Sequence, residues 1–334
     1  MQQNSIAAII PVAPSEPLDV IERSVASLQA LDIPEGYSFR AVYVIDTEDR
    51  ENDERIPYLE EQDDTIAALV REPGHGRRAG AINSGLDSIE TPEYIALLDV
   101  DSRPPETFLT QSLHAMQEEK DTVLVSGGRR IVNRDENFIT KTAHAEFRLL
   151  SDLQFILDRK SGFCHFNGLI GLLDGAYLDE KRLDPSRTCE DVDFSERAYE
   201  DGKRVTMVPG MEIGEQAATN LRDLYSQKRR WVTGAIESLD RHFLMMMQSN
   251  VALRVKFLWT LSMISPFISF LISPFALLYS LRFLSREEDR LDTPVLTAGL
   301  FFYGWLVSIA GYDALYRYLT GEGVTWTVPE RSAA

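Results

Sequence analysis

The sequence predicts an α/β fold, in which helices cover a mixed, mainly parallel sheet and membrane helices follow near the C-terminus. Short apolar strands alternate with helical patterns through the first half of the chain. Two long uncharged stretches lie in the last third. Several of the predicted strands end in acidic residues, and functional groups of such sheets gather at the carboxyl ends of strands.

Composition limits the classes of function. The chain has 334 residues, 44% of them hydrophobic, which suffices for one large domain or one domain with an appendage. Its 34 basic and 52 acidic residues give a formal net charge of -18, which argues against a nucleic-acid partner. Only seven of the basic residues are lysines. Such a halophile-like acidic surface is compatible with a cell interior of high salt, and an ordinary acidic cytosolic protein is the alternative.

The cysteines and the N-terminus bear on the compartment. Cys164 and Cys189 form no CxxC pair and have no metal-ligand spacing, which fits a reducing compartment. The first residues lack a charged leader followed by a long apolar core, so we expect no signal peptide.

Apolar periodicity predicts the elements in order. Between residues 166 and 175 the chain is apolar and interrupted by glycines, and it receives no assignment. Helices are expected at 17–31, from 81 onward, and at 146–157, 191–200 and 221–239. Strands are expected at 6–10, 40–45, 65–70, 94–98, 123–127 and 205–208.

The last third predicts a membrane hairpin. Residues 257–281 and 293–312 carry no charge, and the link "RFLSREEDRLD" between them is highly charged. A bilayer core of roughly 30 Å needs about 20 apolar residues as a helix. Membrane helices also tolerate prolines such as Pro266 and Pro274. The alternative is a pair of buried core helices in a soluble domain.

Four clusters carry candidate chemistry, and the first is Asp99 with Asp101. One-residue spacing places both carboxylates on the same side of an extended segment. Two like charges this close are costly unless a cation joins them, and a hard divalent ion such as Mg²⁺ also takes substrate phosphates. The pair therefore predicts a metal–diphosphate site with Mg²⁺ or Mn²⁺. An ordinary surface loop is the alternative.

The second and third clusters offer an anion site and a base. "GHGRRAGAIN", residues 74–83, joins glycines to Arg77 and Arg78 at a helix start, which suits a diphosphate. Two solvated surface arginines are the alternative. Glu190 and Asp191 precede a helix, where a carboxylate serves either as an N-cap or as a general base.

The fourth cluster lies on one helical face. Gln227, Arg230 and Trp231 are spaced i, i+3 and i+4, so an amide, a guanidinium and an indole face the same way. Arginine suits a diphosphate and tryptophan suits a sugar ring. A half-buried tryptophan beside a surface arginine is the alternative.

The order of these motifs resembles that of the family-2 glycosyltransferases, and most closely the membrane branch of cellulose, chitin and hyaluronan synthases. The resemblance covers residues 6 to about 240 by motif order and the remainder by hydropathy. It implies a GT-A type nucleotide-diphospho-sugar transferase fold. It also implies a cytoplasmic catalytic domain at 1–243, a membrane-associated hairpin at 244–320, and a cytoplasmic tail at 321–334 that acts as an active-site lid.

The resemblance implies a role for each matching residue. Pro11, Glu16 and Asp46 look like contacts of the donor nucleotide. Arg78 stands where the family usually has lysine, and with Asp99 it looks like a donor contact.

The remaining motif residues match the chemical step. Asp191, with Glu190 beside it, looks like the catalytic base, although Cys189 replaces the family's threonine. Asp101 and Asp99 resemble metal ligands. Trp231 and Gly168 resemble acceptor contacts, and Gln227 and Arg230 resemble donor diphosphate contacts.

The implied function is inverting transfer of a sugar, with a UDP-sugar as the expected donor, to a hydroxyl of a saccharide or lipid-linked acceptor, as in polysaccharide biosynthesis. The expected location is the cell membrane, multi-pass, in contact with lipid. Two spanning helices are few for a polymer channel, which favours single or few additions, or a membrane partner subunit. The alternatives are a polyprenyl-phosphate sugar synthase and an inactive, membrane-anchored nucleotide-sugar-binding protein.

Overall fold

The computed structural model describes residues 4–322, which form two compact units. The first unit takes the chain up to Gly128 and then Cys164–Ile213. The second takes Arg129–Phe163 and the chain from Gly214 onward. Of the tail predicted to act as a lid, 321–334, residues 323–334 lie outside the described residues.

Seven strands and eleven helices make up the described chain. The strands are β1 Asn4–Val12, β2 Tyr37–Asp46, β3 Ile66–Arg71, β4 Tyr94–Leu98, β5 Thr122–Ile131, β6 Ile170–Asp174 and β7 Arg204–Glu215. The first helices are α1 Leu18–Gln29, α2 Arg55–Glu60, α3 Arg77–Asp87, α4 Phe108–Glu118, α5 Phe138–Ser161 and α6 Gly175–Lys181. The others are α7 Glu190–Glu200, α8 Leu221–Gln248, α9 Leu253–Ile272, α10 Ala276–Ser285 and α11 Thr293–Thr320, with a 3₁₀ turn Ser273–Phe275 between α9 and α10.

The sheet has the order β3-β2-β1-β4-β6-β5-β7. β1 pairs in parallel with both β2 and β4, and β2 pairs in parallel with β3. β6 runs antiparallel to β4 and β5. The prediction of a mixed, mainly parallel α/β sheet is thereby confirmed. The carboxyl ends of β1, β2 and β4 meet at one edge of the sheet.

The reversed strand β6 brings a second loop to that edge. Leu98, the last residue of β4, pairs with Ile170, the first residue of β6. The chain leaving β4 and the chain entering β6 therefore lie side by side. The amide of Asp99 faces the carbonyl of Leu169 at 3.4 Å, and the Ser102 hydroxyl donates to the same carbonyl at 3.1 Å.

Burial of β1 anchors this edge. Residues 6–10 of β1 are completely buried, and Ile6, Ala8 and Ile10 belong, with the apolar faces of α1 and α4, to one core of the first unit. Burying one isoleucine side chain contributes about 2 kcal/mol. The free energy of this packing fixes the strands whose ends carry the candidate site.

Two helices are longer than their patterns predict. α5 begins at Phe138, eight residues before the predicted start, because Asn137 and Thr140 form a capping box. α8 begins at Leu221, where the Asn220 side chain accepts from the amide of Asp223, and it continues to Gln248. α8 therefore passes the predicted domain boundary at residue 243. The second unit joins α5 and α8 to the apolar helices, a different division from the predicted one.

Two helical segments, Leu253–Ser285 and Thr293–Thr320, are long and apolar enough to cross a membrane. Pro266 lies inside α9 and has no amide hydrogen to donate. The Ser308 hydroxyl of α11 donates to the Pro266 carbonyl at 2.9 Å and accepts from the amide of Phe270 at 3.1 Å. This hydroxyl therefore bridges one step of the backbone ladder of α9.

Candidate active site

Arg78 is the hub of the polar cluster at the sheet edge. It lies in the first turn of α3, and its Nε donates to Asp99 Oδ1 at 2.7 Å. Its Nη1 donates to Glu190 Oε1 at 2.9 Å, and its Nη2 donates to the carbonyl of Gly168. One planar guanidinium thus joins the loop after β4, the loop before β6 and the first residue of α7.

The cluster carries more negative than positive charge. Burial opposes the charge of Arg78, but Asp99 and Glu190 outweigh it and raise the pKa of Arg78. Burial raises the pKa of Asp99, and although Arg78 opposes this rise, Asp101 and Glu190 add to it. The environment of Asp99 therefore favours either the protonated carboxyl or a second positive charge beside the carboxylate.

Asp191 faces Gly168 at the start of α7. A Cβ built on Gly168 would lie 2.7 Å from Asp191 Oδ2, and Gly168 has φ +79°, a conformation that favours glycine. The Asp191 carboxylate accepts from the amide of Val192 at 2.9 Å. The first turn of a helix suits an ionised carboxylate. The structure thus brings five predicted residues together: Arg78, Asp99, Gly168, Glu190 and Asp191.

Asp101 is exposed two residues beyond Asp99. Within residues 4–322, no three His, Cys, Asp or Glu side chains are placed to hold a metal ion. Mg²⁺ usually takes one or two protein carboxylates and completes its shell with water and substrate phosphates. Asp99, which belongs to the cluster, and Asp101, two residues further on, have the chemistry for such a substrate-assisted site.

Asp46 is predicted to contact the nucleotide and lies at the end of β2. Arg71, its register partner on β3, binds it through two nitrogens, one of them at 3.2 Å from Oδ2. Glu16 is buried, and its backbone carbonyl accepts from Arg55 Nη1 at 3.1 Å. Pro11 lies next to the end of β1. These residues share the strand-end edge with Asp99.

Gln227, Arg230 and Trp231 lie on α8 in the second unit. Trp231 packs against Phe147 of α5, with ring centroids 6.2 Å apart. The three motif side chains are each partly buried. The motif lies in the second unit and Asp191 in the first, and that they meet in one active site stays a prediction.

Lys228, between the motif residues, was not singled out by the sequence. Its Nζ lies 2.6 Å from Glu146 and 3.9 Å from the centroid of the Trp231 ring. Lys228 and Glu146 are both fully buried. Burial lowers the pKa of Lys228, and Glu146 opposes this shift.

Sequence reasoning also missed Arg71 and Glu146. A signal existed for Arg71, because it directly follows a predicted strand, as Asp46 does. The sequence predicts Glu146 at the first position of a helix, where an acidic residue is common and is expected to be exposed. It lies in the buried third turn of α5 because the helix begins earlier.

The fold with this site at its edge is that of nucleotide-diphospho-sugar transferases of the GT-A type. The mannosyltransferase PcManGT from Pyrobaculum calidifontis, solved in complex with GDP-Man and Mn2+, superposes with TM-score 0.62 and 16% identity. The match covers 95% of this chain and 88% of that one. S. aureus TarS 1-349 in complex with UDP-GlcNAc gives TM-score 0.51 and 16% identity, over 95% and 92% of the two chains.

The family follows from the sequence match. Residues 94–309 match the family described as Glycosyl transferase family group 2, and residues 8–173 match Glycosyl transferase family 2. The chain belongs to the family 2 glycosyltransferases.

Curated relatives are named mannosyltransferases. Glucomannan 4-beta-mannosyltransferase 2 of Arabidopsis thaliana is 27% identical over 177 residues, which is 51% of this chain and 32% of that protein. Glucomannan 4-beta-mannosyltransferase 1 of Oryza sativa subsp. japonica is 26% identical over 193 residues, or 55% and 36%. The matched part spans about a third of each relative's length.

Proposed function

We propose that this chain is an inverting glycosyltransferase that transfers a sugar from a nucleoside-diphosphate sugar to a hydroxyl of a saccharide or lipid-linked saccharide. The observation that carries the proposal is the cluster in which Arg78 joins Asp99 and Glu190, with Asp191 beside Gly168. It places a surplus of carboxylates and a candidate base at the edge where parallel strands end.

In this proposal Asp191 accepts the proton of the acceptor hydroxyl. The hydroxyl oxygen then bonds to the anomeric carbon from the face opposite the diphosphate, and the bond between that carbon and the diphosphate oxygen breaks. A positioned base contributes about two to four powers of ten in rate. Glu190 is held by Arg78 and serves to position the loop beside Asp191.

Asp101 and Asp99 would hold a divalent ion, Mg²⁺ or Mn²⁺, which would neutralise charge on the leaving diphosphate. The complex of PcManGT with Mn2+ supports a divalent ion. Arg78 keeps Asp99 in place, so its proposed role becomes that of a bridge between carboxylates and donor.

The remaining roles rest on the motifs. We assign donor contacts to Pro11, Glu16 and Asp46, and diphosphate contacts to Gln227 and Arg230. Trp231 is assigned to the acceptor. Gly168 leaves room for the Asp191 carboxylate, which supports a place near the acceptor hydroxyl.

The donor is the point at which the relatives refine the sequence-based proposal. The sequence favours a UDP-sugar, whereas the relatives' names and the GDP-Man complex favour a mannosyl donor. A polyprenyl phosphate is the second candidate acceptor, favoured by the apolar helices α9–α11. We place the catalytic part on the cytoplasmic side of a membrane, where nucleotide sugars are available.

The test uses the full chain purified in detergent. GDP-Man and several UDP-sugars are supplied with Mn²⁺ or Mg²⁺, with oligosaccharide or polyprenyl-phosphate acceptors, and nucleotide release and product are measured. We expect Asp191→Asn to lower transfer by about 10²–10⁴-fold while donor binding by calorimetry is retained. Glu200→Gln, at the far end of α7, is the control and keeps full activity.

Transfer near the wild-type rate in Asp191→Asn would overturn the assignment of the base. Absence of nucleotide release with every donor and both metals would overturn the enzyme itself.

A further inference from the structure

The apolar helices leave a broad hydrophobic surface exposed. Of the 18 most apolar consecutive residues in α9 and α10, only 17% are buried, against 50% in the corresponding stretch of α11. Soluble monomers rarely expose apolar patches of this extent. The exposed side chains include Leu253, Phe257, Leu271, Phe275, Leu277, Leu278, Leu281, Phe301, Trp305 and Ile309.

The charged link between these helices is bound to the start of α5. Asp289 is fully buried, and its Oδ1 lies 2.8 Å from both Arg134 Nη1 and His144 Nε2. Asp292 accepts from Arg134 at 3.1 Å and from Lys141 at 2.7 Å. The link is thus held on the second unit through its buried Asp289 and through Asp292.

A second set of bonds holds the end of α10. Asp152 of α5 accepts from the hydroxyl of Tyr279 at 2.7 Å, from Arg282 at 3.0 Å and from Arg286 at 2.6 Å. Arg148 pairs with Glu288. The link therefore follows α5 over more than two helical turns.

The other end of α11 is bound to α8. Asp313 accepts from Tyr225 at 3.1 Å and from Arg229 at 3.1 Å, and Arg317 donates to it at 3.0 Å. Between the two ends, Gly299 packs against Thr142 of α5. α11 has 28 residues and is about 42 Å long. It thus lies on α5 and α8 along its length.

This arrangement conflicts with a hairpin whose link crosses the bilayer. Arg134 follows the end of β5 by three residues, a reach of about 10 Å, so Asp289 stays close to that strand end. A crossing would carry the charged half of α5 through the hydrocarbon with the link. Within the described residues, α5 is not among the helices apolar enough to cross.

We infer that α9, α10 and α11 insert together into one leaflet of a lipid bilayer, with the link on the same side as the rest of the chain. The exposed apolar side chains enter the acyl region, and Arg254, Arg282 and Arg290 lie at its ends, where lipid phosphates bind cations. This arrangement is monotopic, unlike the multi-pass topology that the sequence predicts. It does not depend on the proposed sugar transfer.

The test measures on which side of a bilayer the link lies. The full chain is reconstituted into sealed vesicles of phosphatidylcholine and phosphatidylglycerol. Two variants, Glu287→Cys in the link and Glu35→Cys in the first unit, are treated with a membrane-impermeant maleimide before and after detergent lysis. Both positions are exposed. Peptide mapping separates their label from that on Cys164 and Cys189.

We expect positions 287 and 35 to be labelled to equal extents before lysis, in whatever orientation the protein inserts. Equal labelling together with flotation of the wild-type chain on the vesicles supports the proposal. If the molecules that label at position 35 before lysis label at position 287 only after lysis, the two positions lie on opposite sides of the bilayer. That result overturns the proposal in favour of a crossing hairpin. Failure to float, with a stable dimer in solution, overturns it in favour of a second copy of the chain.

Discussion

The ammonium of Lys228 lies 3.9 Å from the centroid of the Trp231 indole and 2.6 Å from the Glu146 carboxylate. The ammonium also lies 5.3 Å from the Tyr303 ring and 5.5 Å from the Phe147 ring. A desolvated cation–π contact contributes about 2 kcal/mol. A buried ion pair thus fixes the indole that is proposed to meet the acceptor.

Replacing Lys228 with methionine should damage both stability and acceptor use. The variant leaves Glu146 buried without its cation, which lowers the free energy of unfolding by about 3–5 kcal/mol. In the double variant Lys228→Met/Glu146→Leu we expect most of this stability to return, because the buried charge is removed with its partner. The KM for acceptor should stay raised, whereas donor affinity should match wild type.

Arg222→Met is the matched control, since Arg222 is exposed on the same helix. If the double variant shows a wild-type acceptor KM, Lys228 does not position Trp231.

Gly168→Ala should lower transfer through Asp191. The new Cβ would lie 2.7 Å from the Asp191 carboxylate and would force it to move. A displacement of about 1 Å at a reacting group costs roughly 100-fold in rate. The measurement is kcat for transfer, compared with donor Kd, which should change little.

Gly202→Ala supplies the control for backbone strain. Gly202 has φ +71°, close to the φ of Gly168, but no atom lies within 4 Å of the added Cβ. Each variant should lose about 1 kcal/mol of stability, and only Gly168→Ala should lose activity. Equal activity in the two variants would contradict the proposed role of Asp191.

Arg78→Lys should weaken donor binding and destabilise the first unit. An ammonium is a compact donor and cannot reach Asp99, Glu190 and the Gly168 carbonyl in the fixed geometry of a guanidinium. Hydrogen bonds to charged groups contribute about 1.5–3 kcal/mol each. We expect the free energy of unfolding, measured by thermal unfolding, to fall by the contribution of at least one such bond. The donor Kd, measured by calorimetry, should rise.

Arg77→Lys, at the exposed neighbouring position, should match wild type in both measurements. If Arg78→Lys matches wild type, an ammonium serves the cluster as well as the guanidinium with its three hydrogen-bond partners does.

Asp289→Asn should lower stability in a pH-dependent way. Burial opposes the charge of Asp289, but His144, Arg148 and Arg134 outweigh it and lower its pKa. A carboxyl with a depressed pKa in the folded state stabilises the protein above its unfolded pKa of about 3.9 and loses that contribution as pH falls further. The variant should therefore be about 3 kcal/mol less stable at neutral pH. This difference should shrink below about pH 4.

The measurement is denaturant unfolding of both proteins in detergent across this pH range. A difference that stays constant down to low pH would show that the charge of Asp289 does not contribute. Glu287→Gln, exposed in the same link, is the control and should follow wild type throughout.

The strand ends were predictable because apolar runs in the sequence stop at acidic residues. β4 matches its predicted span, and β1, β2 and β3 differ from theirs by a few terminal residues. β6 could not be assigned, since its run of five residues is interrupted by Gly171 and its direction depends on pairing with β4. A pairing direction is set by tertiary contacts that periodicity does not encode.

The predicted site was recovered in part for the same reason. Asp99, Asp191 and Arg78 belong to motifs whose residue types indicate their chemistry, and the structure brings them together. That Arg78 binds Asp99, Glu190 and Gly168 at once could not be foreseen, because those partners are separated by up to 112 positions. Lys228 occupies a variable position of a motif that is defined by Gln227, Arg230 and Trp231, so the motif itself assigns it no role.

The Ser308 hydroxyl that completes the backbone ladder of α9 at Pro266 has a mechanical consequence. A proline inside a helix ordinarily favours a hinge, but here a hydroxyl from α11 bridges the carbonyl of Pro266 and the amide of Phe270. Gly304 lets the same two helices approach so closely that an added methyl would meet Ser273 and Ser269. If the helices insert as proposed, α9 and α11 should therefore tilt and shift as a single rigid body, so that a change in bilayer pressure or thickness at one is transmitted to the other.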